Sequence, residues 1–208
     1  MKADSDMTNS DAGSTLNPQL RRPRLVGESS TGPTTPPEGE ITEPVVHVGR
    51  RLGRGRTGET FFGLLADVPA AIKVAHAQEA QEELRHETSF YAGPLRELEG
   101  DVVPHFVGLY EGVWNSGRVL AAVMEYVGEP IGVDEDMAWG WFSLEDRTAI
   151  RTLYRKLHEK GVSHGDMRMA NTMRAADGKI RLVDFADAMT ETLESEANVA
   201  DFYLGRHE

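Results

Sequence analysis

The sequence predicts an α+β protein of two lobes: a five-stranded antiparallel sheet with one inserted helix, then a truncated, mainly helical lobe. Three observations predict it. Short runs rich in β-branched and aromatic residues recur around Gly-containing turns between residues 45 and 125. A helical spacing of apolar residues interrupts them after the third run. A second helical stretch with a capping signature follows a Gly-Glu-Pro break at residues 128–130.

Residues 1–44 are rich in Ser, Thr, Pro, Gly and Asp and end in Thr31-Gly32-Pro33-Thr34-Thr35-Pro36-Pro37. Such a segment buries too little apolar surface to offset its ordering entropy, so a disordered tail is expected, with the domain spanning 45–208. Val45-Val46-His47-Val48 and Thr60 to Leu65 read as strands around a Gly-rich turn, and Ala70 to Ala75 as a third strand entered through Pro69. From Ala77 to about Leu98, the positions of Ala80, Leu84, Tyr91, Leu95 and Leu98 predict a helix. Phe106 to Tyr110 and Val119 to Met124 read as an antiparallel pair joined by Asn115-Ser116-Gly117. Residues 126–130 then break the pattern and connect the lobes, about 45–125 and 126–208. Ser143, with Asp146 three residues on, caps a long helix whose apolar face carries Leu144, Ile150, Leu153, Tyr154 and Leu157. Gly161 ends it. Thr172 to Arg174 and Lys179 to Val183 flank Ala176-Asp177-Gly178 as a short hairpin, and one further helix is expected after Asp184.

At 208 residues there is room for one substantial domain. The formal net charge of −12 argues against nucleic acid or an anionic membrane as partner, since both rely on dense Lys and Arg. With no cysteine, disulfides and thiolate chemistry are excluded. The N-terminus lacks the apolar core of a signal peptide, and no run approaches the ~18 apolar residues of a membrane span. An intracellular, cytoplasmic protein is expected, with a nuclear location left open.

The most informative stretch is His164-Gly165-Asp166-Met167-Arg168-Met169-Ala170-Asn171, followed by Val183-Asp184-Phe185. The order Asp, Asn, Asp-Phe suits phosphoryl transfer: Asp166 orients an attacking hydroxyl, while Asn171 and Asp184 hold magnesium on ATP phosphates. Arg168 is a candidate γ-phosphate contact. Upstream, Gly53-Arg54-Gly55-Arg56-Thr57-Gly58 matches G-x-G-x-x-G. A dinucleotide fold would open a helix there, whereas Glu59 to Leu65 reads as a returning strand, so a phosphate-covering flap or a plain turn are the alternatives. Lys73 sits in the apolar strand Ala71-Ile72-Lys73-Val74. Either its amine snorkels to solvent from an edge strand, or it serves the α/β-phosphates braced by a carboxylate of the next helix. Glu87 is the favoured brace and Glu83, one turn earlier, the rival.

Taken together, residues from about 48 to 187 resemble the protein-kinase superfamily. Ala71-Ile72-Lys73 is similar to its V-A-I-K strand, and Leu157 to Asp166 to its helix end and catalytic loop. The resemblance implies that Gly53, Gly55, Gly58, Lys73 and Glu87 serve ATP binding, and that Glu125-Tyr126-Val127 is a hinge whose backbone meets adenine, with Met124 behind it. His164-Gly165-Asp166 replaces the usual H-R-D and resembles small atypical members: RIO-like kinases, aminoglycoside and choline phosphotransferases, and short fungal kinase-like proteins. With Gly165 in place of the arginine, no loop phosphate is clamped there. Ala186 replaces the D-F-G glycine, no A-P-E motif follows, and only 24 residues come after Asp184. The expected function is ATP- and Mg2+-dependent transfer to a hydroxyl, foremost on Ser or Thr of a protein substrate, with a partner protein supplying the missing acceptor platform. The alternatives are an ATP-binding pseudokinase or scaffold, and a small-molecule kinase.

Overall fold

The computed structural model describes residues 46–114, 116–132, 142–191 and 196–197. The expected tail of residues 1–44 and most of the expected helical region after Asp184 lie outside the described residues. The chain is α+β. Strands β1 (Val46–Gly55), β2 (Gly58–Leu65), β3 (Val68–Ala75), β4 (Phe106–Trp114) and β5 (Gly117–Glu125) form one antiparallel sheet in the order β1-β2-β3-β5-β4. The strands run several residues beyond the apolar runs that predict them, because backbone pairing carries β1 through Arg54 to Gly55. The β2–β3 connection is a two-residue turn at Ala66 and Asp67, both with positive φ (48° and 66°), which matches the twist of the flanking strands.

Helix α1 (Gln78–Ala92) lies between β3 and β4. It is shorter than its apolar spacing predicts. Pro94 has no N–H to continue the helical ladder, and the amides of Gly93 and Leu95 both turn back onto the Phe90 carbonyl (3.2 and 3.0 Å). A single 3-10 turn, Arg96–Leu98, still delivers Leu95 and Leu98 to the core. Helix α2 (Leu144–Glu159) begins as expected, with the Ser143 hydroxyl accepting the Asp146 N–H at 3.0 Å. It closes at Gly161 (φ 68°), where the N–H groups of Val162 and Gly161 return to Leu157 and His158, the paired bonds of a left-handed cap.

The 126–130 break contains a strand that sequence reading missed. β6 (Glu129–Pro130) pairs with β7 (Thr172–Arg174), which pairs with β8 (Ile180–Leu182). A two-residue strand carries no periodicity, and Pro130 argues against one except at the sheet edge, where β6 lies.

The interior strand β5 is buried on both faces. Leu120, Ala122 and Met124 join Leu84, Phe90 and Tyr91 of α1 and Ile150, Leu153, Tyr154 and Leu157 of α2 in one core that also takes in Leu182 and Phe185. The alternate residues Val119, Ala121 and Val123 pack with Val46, Ile72 and Tyr110 in a second cluster. The larger core therefore binds the sheet, α1, α2 and the segment after β8 into one body, and the polar residues around Lys73 and Asp166 line its rim.

Candidate active site

The Gly-rich segment is a hairpin, not a helix start: Gly53 pairs with Thr60, and Gly55 with Gly58. Its three glycines stand in different settings. Gly58 has φ 141°, and a Cβ there would run into the Val74 carbonyl, so the protein's own backbone excludes a side chain. Among the described residues other than their chain neighbours, no atom lies within 4 Å of where a Cβ would stand on Gly53 or Gly55. Packing does not demand glycine at those two positions; what glycine provides there is space for something else to approach the backbone.

Lys73 does not snorkel. It is 7% exposed, and its Nζ donates to Glu87 Oε2 at 2.7 Å and Asp184 Oδ1 at 2.8 Å. Glu87, buried on the inward face of α1, is the brace. Its rival Glu83 bonds Arg56 instead. Burial works against the Lys73 charge, yet Glu87 and Asp184 together hold its pKa above the ordinary lysine value. Burial likewise disfavours an ionised Asp184, but the adjacent ammonium outweighs it and keeps this carboxyl below the usual range. Glu87, the most deeply buried of the three, is pushed up by burial, against the pull of Lys73. Asp184 has φ 66°, a conformation side chains rarely adopt. Phe185 holds it in place, fully buried with its ring 5.5 Å from Tyr91 and 4.5 Å from His164.

Asp166 and Asn171 meet directly. The Asn171 side-chain nitrogen donates to Asp166 Oδ2 and to the Asp166 carbonyl, both at 3.0 Å. A 3-10 turn (Met169–Asn171) makes this possible by folding the five-residue spacing back on itself. The Val183 N–H donates to the Asn171 carbonyl at 3.0 Å, setting Asn171 beside the segment that carries Asp184. Arg168 turns onto Asp166, with Nε at 2.9 Å and Nη2 at 2.5 Å from Oδ2.

Two residues to which sequence reading gave no role hold this loop. His164 is wholly buried. Its Nε2–H donates to the Val183 carbonyl at 3.0 Å while Nδ1 accepts the Asp166 N–H at 3.4 Å, so the neutral ring stitches the loop to the strand before Asp184. Burial holds its pKa below the ordinary histidine value. Glu196 accepts the N–H of His164 at 3.0 Å and of Gly165 at 2.8 Å, and its Oε1 also lies 2.8 Å from His158 Nε2. An acid in a polar stretch carries no periodic signal, so nothing in the sequence marks Glu196 out.

Glu125 and Val127 lie further along. Glu125 pairs with Ala70 at the end of β5, three positions from Ala122, the partner of Lys73. Its carboxylate accepts the His105 N–H at 3.1 Å and its own N–H donates to the His105 carbonyl at 2.8 Å, while Val127 is buried. Among the described residues, no hydrogen bond joins either of them to the Lys73 cluster.

No protein-family profile matches the chain. The serine/threonine-protein kinase kin-29 of Caenorhabditis briggsae is 34% identical to it over 104 residues, covering 46% of this chain and 12% of that kinase. The chain is thus kinase-like over part of its length, and spans about an eighth of the relative it matches. Among the described residues, no helix is long and apolar enough to cross a membrane.

Proposed function

We propose that the chain is an ATP-dependent phosphotransferase with a two-lobed, protein-kinase-like fold, passing the γ-phosphoryl group of ATP to a Ser or Thr hydroxyl of a protein. The observation that carries this is Lys73, bonded to both Glu87 and Asp184 and set beside a hairpin with open space at Gly53 and Gly55. The ammonium stays protonated and is fixed in direction, as a contact to the α/β-phosphates requires. The step from Ala122 to Glu125 along β5, roughly 10 Å at the usual rise per residue, gives room for a nucleoside between the phosphates and the backbone of Glu125 to Val127.

Asn171 and Asp184 offer an amide and a carboxylate, the hard oxygen donors that magnesium takes. Bound there, Mg2+ would neutralise charge on the phosphates. The remaining work falls to the protein. Asp166, held by the Asn171 nitrogen, aligns the acceptor hydroxyl and takes its proton at the carboxylate. Arg168 moves from Asp166 to the γ-phosphate and uncovers that carboxylate. Positioning and charge complementarity supply most of the rate enhancement.

One observation favours an ATP-binding domain without turnover: Arg168 is paired with Asp166, the carboxylate that would align the acceptor. A thermal shift with Mg-ATP beside a turnover assay separates the two. The phosphotransferase gives both a shift, about 2.7 kcal/mol at a ligand concentration of 100 Kd, and phosphate transfer that Asp166→Asn abolishes. Shift without turnover selects the binding domain, turnover on an aminoglycoside or choline in place of protein selects a small-molecule kinase, and neither shift nor turnover removes the nucleotide site.

A further inference from the structure

The buried cluster around Lys73 has an exposed counterpart. Arg56, at the tip of the hairpin, donates from Nη1 to Glu83 Oε1 at 3.0 Å and from Nη2 to Asp187 Oδ1 at 2.5 Å. Glu83 precedes Glu87 by one turn of α1, and Asp187 follows Asp184 by three residues. Each cation therefore takes one carboxylate from α1 and one from the segment after β8. The inner set is confined by burial, whereas Arg56, Glu83 and Asp187 keep 56%, 35% and 52% of their side-chain surface in contact with solvent. Packing does not force these three together. Arginine's planar fork suits the task, since two separate N–H groups can each reach a different carboxylate.

The segment carrying Asp187 is fixed independently. A Cβ on Gly165 would run into the Asp187 carbonyl, and Met189 and Ser163 exchange two backbone hydrogen bonds of 3.0 Å. Next to the hairpin tip, Gly58 is likewise seated against Val74, and Thr57 beside Arg56 is buried. Arg56 thus joins two separate elements, the hairpin tip and α1, to that fixed segment.

We propose that Arg56 is a positioning residue: its double ion pair straps the hairpin tip and α1 to the Asp184 segment and so keeps Lys73 within reach of both Glu87 and Asp184. This deepens, and rests on, the phosphotransferase function proposed above. Exposed ion pairs of this kind change an equilibrium by about two- to fivefold each. That is too little to decide folding and enough to set the fraction of molecules with an assembled site, which scales the apparent affinity for a nucleotide. The strap is screened by salt.

The test uses the full chain and the variants Arg56→Gln, Arg56→Lys, Glu83→Gln and the Arg56→Gln/Glu83→Gln double. Peptide-level hydrogen exchange on nucleotide-free protein is read beside Mg-ATP affinity, each at low and at high salt. In Arg56→Gln, exchange is expected to rise together in residues 53–58 and 83–87, while residues 184–188, fixed independently, stay at the parent rate. Mg-ATP affinity should fall about two- to fivefold for each pair lost, with the difference vanishing at high salt. Arg56→Lys should recover part of the loss, and Glu83→Gln should add little once Arg56 is gone. Exchange rising in the hairpin alone, no rise at all, or fully additive losses would overturn the strap. If the parent fails to bind Mg-ATP while exchange responds in both the hairpin and α1, the nucleotide function falls and the strap stands. If the parent binds and Arg56→Gln matches it in both measurements, the strap falls and the function stands.

Discussion

The backbone carbonyl of Asp187 packs against Gly165 at the spot where any Cβ would stand. Gly165 also has φ 79°, so the residue in the middle of His164-Gly165-Asp166 is glycine for two reasons, conformation and contact. Gly165→Ala is expected to destabilise the protein by about 2–4 kcal/mol, combining the left-handed penalty with displacement of a packed carbonyl. Gly165→Arg should cost at least as much. Urea unfolding checks this, and an alanine variant as stable as the parent would contradict the contact.

Glu196 holds the same loop from the other side through two backbone N–H groups. Glu196→Ala leaves the buried His164 N–H and the part-buried Gly165 N–H without that acceptor, at an expected cost of about 1–3 kcal/mol. Glu196→Gln keeps one acceptor oxygen and should fall between the alanine variant and the parent. In a turnover assay both variants should lose kcat while Mg-ATP affinity stays near that of the parent, because Glu196 touches the loop of Asp166 and not the Lys73 cluster. Loss of ATP binding with turnover preserved would reverse that assignment.

Replacing Lys73 with methionine removes the one cation between two carboxylates. With Glu87 buried and Asp184 partly exposed, a loss of about 2–4 kcal/mol at neutral pH is expected. The pH dependence carries a sign. Without the ammonium, burial and the Asp184 charge push the Glu87 pKa further above its ordinary 4.5, so the folded variant binds a proton that the unfolded chain releases. Its stability should therefore decrease as pH rises above 4.5 through the raised folded value, and the gap from the parent should narrow on acidification. A gap that stays constant between pH 4.5 and 7.5 would show that Glu87 does not take up the proton.

His164 gives the opposite slope. Its pKa is lowered on folding because burial disfavours the imidazolium, and the carboxylates of Glu196, Asp184 and Asp166 only partly offset that. Between the lowered value and the ordinary 6.5 the unfolded chain holds more protons, so the stability His164 contributes is full above pH 6.5 and is lost as pH falls through that window. Thermal unfolding from pH 7.5 to 5.5 reads the slope. His164→Gln should lower stability at pH 7.5 and flatten the slope, and an unchanged slope would assign it elsewhere.

Element order and the termini of α2 are legible in the residues alone, because alternation, capping and a left-handed glycine are local signals. Ser143 with Asp146, and Gly161 after the last turn, behave as their types require. The Gly93-Pro94 break in α1 is also legible in principle, but the apolar spacing of Leu95 and Leu98 masks it. β6 is not, since a two-residue strand at a proline exists only because β7 is there to pair with it.

The order of residues specifies which chemical groups are present and in what succession: Lys73 in an apolar strand, acids one turn apart on α1, and Asp166, Asn171 and Asp184 after it. It favours Glu87, between Leu84 and Tyr91 on the inward face, over Glu83, but does not settle which of the two meets Lys73. Folding makes that choice by sending the buried acid to Lys73 and the exposed one to Arg56. Folding also sets Arg168 on Asp166, turns the loop's N–H groups onto Glu196, and carries Arg56 across 131 residues to Asp187. These pairings depend on distances set when the core around Tyr91, Leu157 and Phe185 closes, and no local pattern encodes a distance between residues that far apart in the chain.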